Sequence, residues 1–296
     1  MIIVVSPVGV IAFRDSLIRK RQVQIRRQNR ERGMTRDFML LNLWPERRRT
    51  IIERLDFYYE QALSRVIGQF NNIEEEADQF ARESYDRRGQ RFDPDYHDEG
   101  EVAEAAWDDG VNHYMLLSGM RQQMIFAVAA GMYHEWDKQL REWLENELGH
   151  NFKLDKLKVQ IWKQDIGSLF DMLDGWGWNL KVQPFHDLID ACRLVVNVYK
   201  HGAGSSLDQL AEKYGQYLRN YSQGSGNPWG NFVRHDQLQL DEDGLRDFFE
   251  ALKAFWMYVP AEAISSSAAS VPAWFEKALQ PEGKQRSPQR GGRPAS

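Results

Sequence analysis

The sequence predicts an all-α fold, a helix bundle with additional peripheral helices. Three observations carry this reading. Apolar residues recur every three or four positions through nearly the whole chain, as one face of a helix requires. No period-2 alternation is long enough to build a sheet, and no internal repeat is present. The 296 residues are 42% hydrophobic, with 10 Trp and 15 Phe, enough bulky material for one large domain or two small ones.

The first division, residues 1–36, is a basic N-terminal extension. Residues 1–49 hold twelve Lys/Arg against four Asp/Glu, a local charge of +8 in a chain whose net charge is −5. Residues 37–100 read as a long helix and a charged loop. Within Arg48–Glu83, the positions Ile51, Leu55, Tyr58, Tyr59, Ala62, Val66, Phe70, Ile73, Ala77 and Phe80 mark one face of a single helix. Gly89, Pro94 and Gly100 then make Ser84–Gly100 the loop.

Residues 101–260 hold the bundle. A helix is expected from about Glu101 to Leu148, with Ile125, Ala129, Met132, Trp136, Leu140 and Trp143 as its stripe and Gly149 as its stop. Two shorter helices follow near Leu157–Leu173 and Gln183–His201, the second ended by Gly202 and Gly204. Ser205 and Ser206 read as N-caps of the next helix, and another spans Asp241–Tyr258. Ser222–Gly230 reads as a Gly/Asn/Pro loop, and residues 280–296 as a disordered C-terminal tail.

Composition removes several function classes. Cys192 is the single cysteine, so neither an intrachain disulfide nor a cysteine-rich zinc site exists, which fits a reducing cytoplasm. Met1–Phe13 is apolar but lacks a basic n-region, is interrupted by Pro7 and is too short to cross a bilayer, so we read neither a signal peptide nor a membrane role. Beyond residue 49 the chain carries about −13, which leaves the basic segment Arg14–Arg36 as the part suited to a polyanion. His113 with Glu104 or Asp108, and His134 with Asp137 or Lys138, have helical spacing but form no metal-ligand set; no metal and no cofactor are expected. Trp176 and Trp178 read as core anchors beside a turn.

One helix concentrates polar chemistry. With Phe185 at zero and about 100° per residue, Ile189, Cys192, Val196 and Tyr199 define a core stripe. Lys200, Arg193, His186, Asn197, Asp190 and His201 fall in that order between about 60° and 160°. Leu194 and Val198 lie near 180–220°, a second apolar strip suited to a partner helix or a second subunit. A His of near-neutral pKa can move a proton between a ribose 2′-hydroxyl and a leaving oxygen, while an Arg holds the phosphate, and neither step needs a metal. Asn197, four residues from each, can orient them, and Lys200 adds positive potential. The same stripe also reads as an ordinary solvated face, with Asp190 and Arg193 at i,i+3 as a local ion pair. His-Gly-Ala-Gly-Ser-Ser reads as an inter-helix turn, although its glycines and Ser205 are also the parts of a phosphate contact.

The stretch ACRLVVNVYKHGAGSS, with Arg193, Asn197, Lys200, His201 and Gly202, resembles the signature helix of the HEPN superfamily of helical-bundle proteins. The match is to a divergent pattern, Arg-x-x-x-Asn-x-x-Lys-His-Gly, in which Arg to His spans i to i+8. The segment MRQQMIFAVAAGMYHEWDKQLREWLENEL is similar to the second long helix of such bundles, with His134, Glu135 and Asp137 as candidates to face the site. The resemblance covers about residues 115–215. It implies a metal-independent endoribonuclease that acts as a homodimer on RNA. In that reading Arg193, His201 and Asn197 are catalytic, and Lys200, His186 and Ser205 bind substrate. It also implies a toxin or phage-defence setting, with an antitoxin or defence-system partner protein. The alternative is a catalytically inactive HEPN-like interaction or nucleotide-sensing module.

Overall fold

The computed structural model describes residues 39–152, 154–219, 233–264 and 270–279. The basic extension at 1–36, the Ser222–Gly230 loop and the tail at 280–296 lie outside the described residues. The protein is mostly helical, as expected from its periodicity, with nine α-helices among the described residues. They are α1 (Pro45–Arg65), α2 (Ile73–Gly89), α3 (Glu99–Leu148), α4 (Leu154–Lys163), α5 (Ile166–Gly175), α6 (Phe185–His201), α7 (Ser205–Lys213), α8 (Glu242–Tyr258) and α9 (Ala273–Leu279). No described helix is long and apolar enough to cross a membrane. The chain divides into two compact units: one holds Met1–Asn42, Arg141–Asn179 and Glu262–Ser296, the other Leu43–Leu140 and Leu180–Ala261.

The first unit contains a small sheet that the sequence did not announce. β1 (Met39–Asn42) pairs antiparallel with β2 (Glu262–Ile264), Leu41 opposite Ala263 and Asn42 opposite Glu262. Two short strands more than 200 residues apart give no alternation to read. Side chains from the last turns of α3 close the end of β1: Trp143 Nε1 donates to the Asn42 carbonyl (3.1 Å), and Glu147 accepts from the Asn42 N–H (3.1 Å). Buried Arg141 donates to the Ile161 and Gln164 carbonyls, capping the end of α4. The helix expected over Leu157–Leu173 is two helices, because Asp165 accepts from the Ser168 N–H (2.7 Å) and starts α5 as an N-cap. Trp178 is buried, a core anchor as read, and half-buried Trp176 stands edge-on to Phe275. At Gly175 any Cβ would lie 1.9 Å from the Ser270 carbonyl oxygen, so glycine is what admits that segment.

In the second unit the single long helix expected over Arg48–Glu83 is interrupted. Gly68 and the Asn71–Asn72 pair are poor helix formers, and Ile67–Phe70 tightens into a 3₁₀ turn between α1 and α2. The course of the chain survives the break. Tyr58 lies against Gly131, Glu76 pairs with His113 and Ser84 with Asp109, so α1 and α2 descend antiparallel along α3. Close approach at the far end depends on small residues, since a Cβ on Gly110 would stand 2.7 Å from that of Ala81. The expected loop at 84–100 is shorter than read, because the Arg88–Asp109 ion pair (2.8 Å) holds α2 helical to Gly89. Asp98 then accepts from the Gly100 and Glu101 N–H groups at the start of α3.

α8 runs antiparallel to α1. Tyr59 stacks on Phe249 (4.2 Å), Lys253 pairs with Asp56 (2.6 Å), and Arg48 donates to the Met257 and Val259 carbonyls at the end of α8. α6 packs against α7 and α8. Trp136 on α3 and Phe185 on α6 both meet the Phe255 ring at steep angles, 5.1 and 6.1 Å between centroids. Phe255 and Trp136 are at most 1% exposed, so Phe255→Ala opens a cavity where three helices meet. A loss of about 3–5 kcal/mol is expected, to be read from the urea midpoint at constant m-value.

Candidate functional site

The polar stripe of α6 forms as the helical wheel requires, and its surroundings decide its chemistry. Phe185, Ile189, Cys192 and Val196 are buried as expected. Leu194 and Val198 are buried too, at 0% and 2% exposure, inside the chain's own core. The apolar arc therefore extends well past half the helix circumference, and the strip expected to receive a second subunit is not a surface. Burial of the lone thiol pushes Cys192 far above its ordinary range, consistent with inert packing.

Arg193 is engaged. Its Nε and Nη2 donate to one oxygen of Asp190 at 3.0 and 2.6 Å, the i,i+3 pair that the spacing allows. The other Asp190 oxygen accepts from Tyr214 Oη (3.2 Å) and Lys213 Nζ (3.3 Å) at the end of α7. Side-chain exposure is only 18% for Asp190 and 23% for Arg193, so the pair is partly dehydrated and ties α6 to α7. Burial pushes the Asp190 carboxyl up. The Arg193 hydrogen bonds and charge, reinforced by Lys213, outweigh that and hold it below the usual carboxylate range. Burial, and then the Asp190 charge, push the Tyr214 phenol up.

His201 is exposed in the last turn of α6 beside exposed Lys200, where cations complement the helix dipole. Eight residues of helix separate Arg193 and His201 by about 12 Å along the axis. The Arg193 side chain turns back toward Asp190, away from His201. The two do not converge within one chain. Asn197 stands one turn from each and hydrogen-bonds to neither. His186 sits 3.1 Å from Asp187 at the opposite end of the helix from His201. Ser205 is the first residue of α7 rather than its N-cap, because Gly204, at φ 153°, occupies that position.

Of the residues expected from the second long helix, Glu135 takes Lys138 (2.5 Å) and Gln139 (3.1 Å) as partners. Burial raises its carboxyl pKa, but those hydrogen bonds, with the Lys138 and Arg54 charges, bring it below its ordinary value. Its surroundings are thus α3 itself and α1, not the α6 stripe. His134 is exposed, and the aromatic between them, Trp136, belongs to the core. His113 stacks on Phe80 (4.4 Å), and no group of metal-ligating side chains occurs among the described residues.

The sequence reading missed one neighbour of this helix end. Gly202, at φ 72°, terminates α6 with its N–H on the Val198 carbonyl (2.8 Å), and a Cβ there would lie 3.7 Å from the His235 ring. His235 is exposed in the 3₁₀ turn His235–Gln237, beside the Arg234–Asp236 ion pair. Its 34-residue separation from His201 gives no motif to find it by. Gly202, next in the chain after the exposed Lys200 and His201, thus brings the end of α6 against His235.

The Asp190 network has a testable pH signature. A carboxyl held below its unfolded value, about 3.9, adds stability above that pH and loses it as pH falls through the lower folded pKa. Asp190→Asn is expected to cost about 1–3 kcal/mol at pH 7. Urea titrations should show the gap between variant and wild type closing below about pH 4. A pH-independent gap contradicts the assignment. No protein-family model, curated protein or solved structure matches the chain.

Proposed function

We propose that the chain is a HEPN-like interaction module, in which the Arg193 end of the α6 stripe is a structural tie and the His201 end is a contact surface. The observation behind this reading is the capture of Arg193 by Asp190. A phosphate entering there must displace a partly buried carboxylate that Lys213 and Tyr214 also hold. Lys200, His201 and His235 offer exposed donors to an acidic segment or the phosphates of a nucleotide. The toxin–antitoxin or phage-defence setting comes from the family resemblance.

The second reading is the metal-independent endoribonuclease, supported by the solvent access of His201 and Lys200. In that reading the Arg and His acting on one phosphate come from different copies or from a rearranged Asp190 network. One experiment separates the two. Purified protein, His201→Ala and Arg193→Ala are incubated with total RNA in EDTA, and the ends are assayed for 2′,3′-cyclic phosphate. The interaction module is expected to leave RNA intact in all three. Cleavage by the wild type that both variants lose, with folding confirmed by circular dichroism, overturns it in favour of the enzyme.

A further inference from the structure

The core stripe of α3 does not stop where its cover stops. Ile125, Phe126, Ala129, Met132 and Trp136 are buried against the rest of their unit. About three to five turns nearer the N-terminus, the same angular face presents Trp107, Val111, Tyr114 and Met115, which are 65%, 36%, 38% and 66% exposed. Here α2 lies along α3 on a different face, through Ala77, Ala81, Phe80 and Glu76 against Gly110 and His113. Residues 110–120 contain no Asp, Glu, Lys or Arg. A two-helix hairpin that leaves such a stripe open lacks the partner an amphipathic helix ordinarily has.

We infer that this stripe is the interface of a homodimer, with the α3 helices of two copies packed antiparallel about a two-fold axis at Val111. The stripe is self-complementary about that residue. Trp107 and Met115 stand four residues either side of it, each about 6 Å along the axis and about 40° around it. A two-fold there sets each Trp107 indole against Met115 of the second copy, a favourable sulfur–aromatic contact. It also sets Glu104 level with Ser118 of the second copy, each about 20° from the line through Val111. Parallel pairing would instead set Glu104, about 20° from the line through Val111, against its own copy. The four apolar side chains leave roughly 500 Å² open, about the apolar share of the ~800 Å² that each partner of a standard homodimer buries. This interface is separate from the α6 stripe and does not depend on how that stripe is read.

The full-length chain tests this in solution. Sedimentation equilibrium should give about twice the 34.6 kDa chain mass. Trp107→Glu combined with Met115→Glu should weaken association at least about 100-fold with helical content unchanged. Val111→Cys places two thiols on the axis, at a Cα separation that a disulfide spans, so mild oxidation should link the copies. Glu101→Cys places them about 30 Å apart and should not link. Buried Cys192 supplies no competing thiol. A monomer at about 100 μM, a dimer indifferent to the double variant, or linkage through Glu101→Cys as efficient as through Val111→Cys overturns the proposal. So does a monomer that associates through the stripe only with a different protein.

Discussion

The second unit is organised by the need to cover one continuous apolar face of α3. Trp136 is the centre of that face, fully buried with the Phe255 ring edge-on at 5.1 Å. Phe255 in turn meets Phe185, so α3, α6 and α8 are fixed through one ring. Aromatic contacts of this geometry depend on direction as well as area, which sets the rotation of each helix about its own axis. Once α6 is rotated so that Phe185, Ile189 and Cys192 face inward, the position of its polar stripe is no longer free. The chemistry of that stripe is therefore a consequence of the core and of α7, whose end brings Lys213 and Tyr214 to Asp190.

Where helices lie was largely legible, because periodicity reports a buried face directly. The stripe from Ile125 to Trp143, the span of α6 and the span of α8 all followed from spacing. The failures share a cause. The 3₁₀ turn at Ile67–Phe70 and the break at Asp165 both preserve the direction of the apolar face, so the pattern runs through them unbroken. Gly68, Asn71 and Asp165 were the available signals, and each is weak alone. The β1–β2 pair was invisible because its stabilisation is remote, through Trp143 and Glu147.

The site was legible as a stripe and not as a mechanism. A helical wheel gives angle, whereas acid–base chemistry on one phosphate also needs axial proximity. Arg193 and Asp190 are one turn apart and meet; Arg193 and His201 are more than two turns apart and do not. Nothing in the spacing of α6 announces Tyr214 and Lys213, yet they are what convert a surface ion pair into a half-buried tie. An isolated exposed pair contributes little, whereas one oxygen shared by two donors and its neighbour by a forked guanidinium resists displacement.

The same distinction between angle and length governs the open end of α3. Its wheel is identical at Trp107 and Ile125, eighteen residues or five full turns apart, yet one side chain is 65% exposed and the other 2%. Sequence spacing cannot register where a covering helix ends, because the uncovered turns keep the same apolar period as the covered ones. Selection for solubility alone would favour polar residues on those turns, as on the acidic turns at Glu99, Glu101 and Glu104 immediately before them. The persistence of Trp107, Val111, Tyr114 and Met115 past the end of the cover is therefore what an unfilled contact looks like. The Val111 symmetry gives that contact a partner with the same sequence.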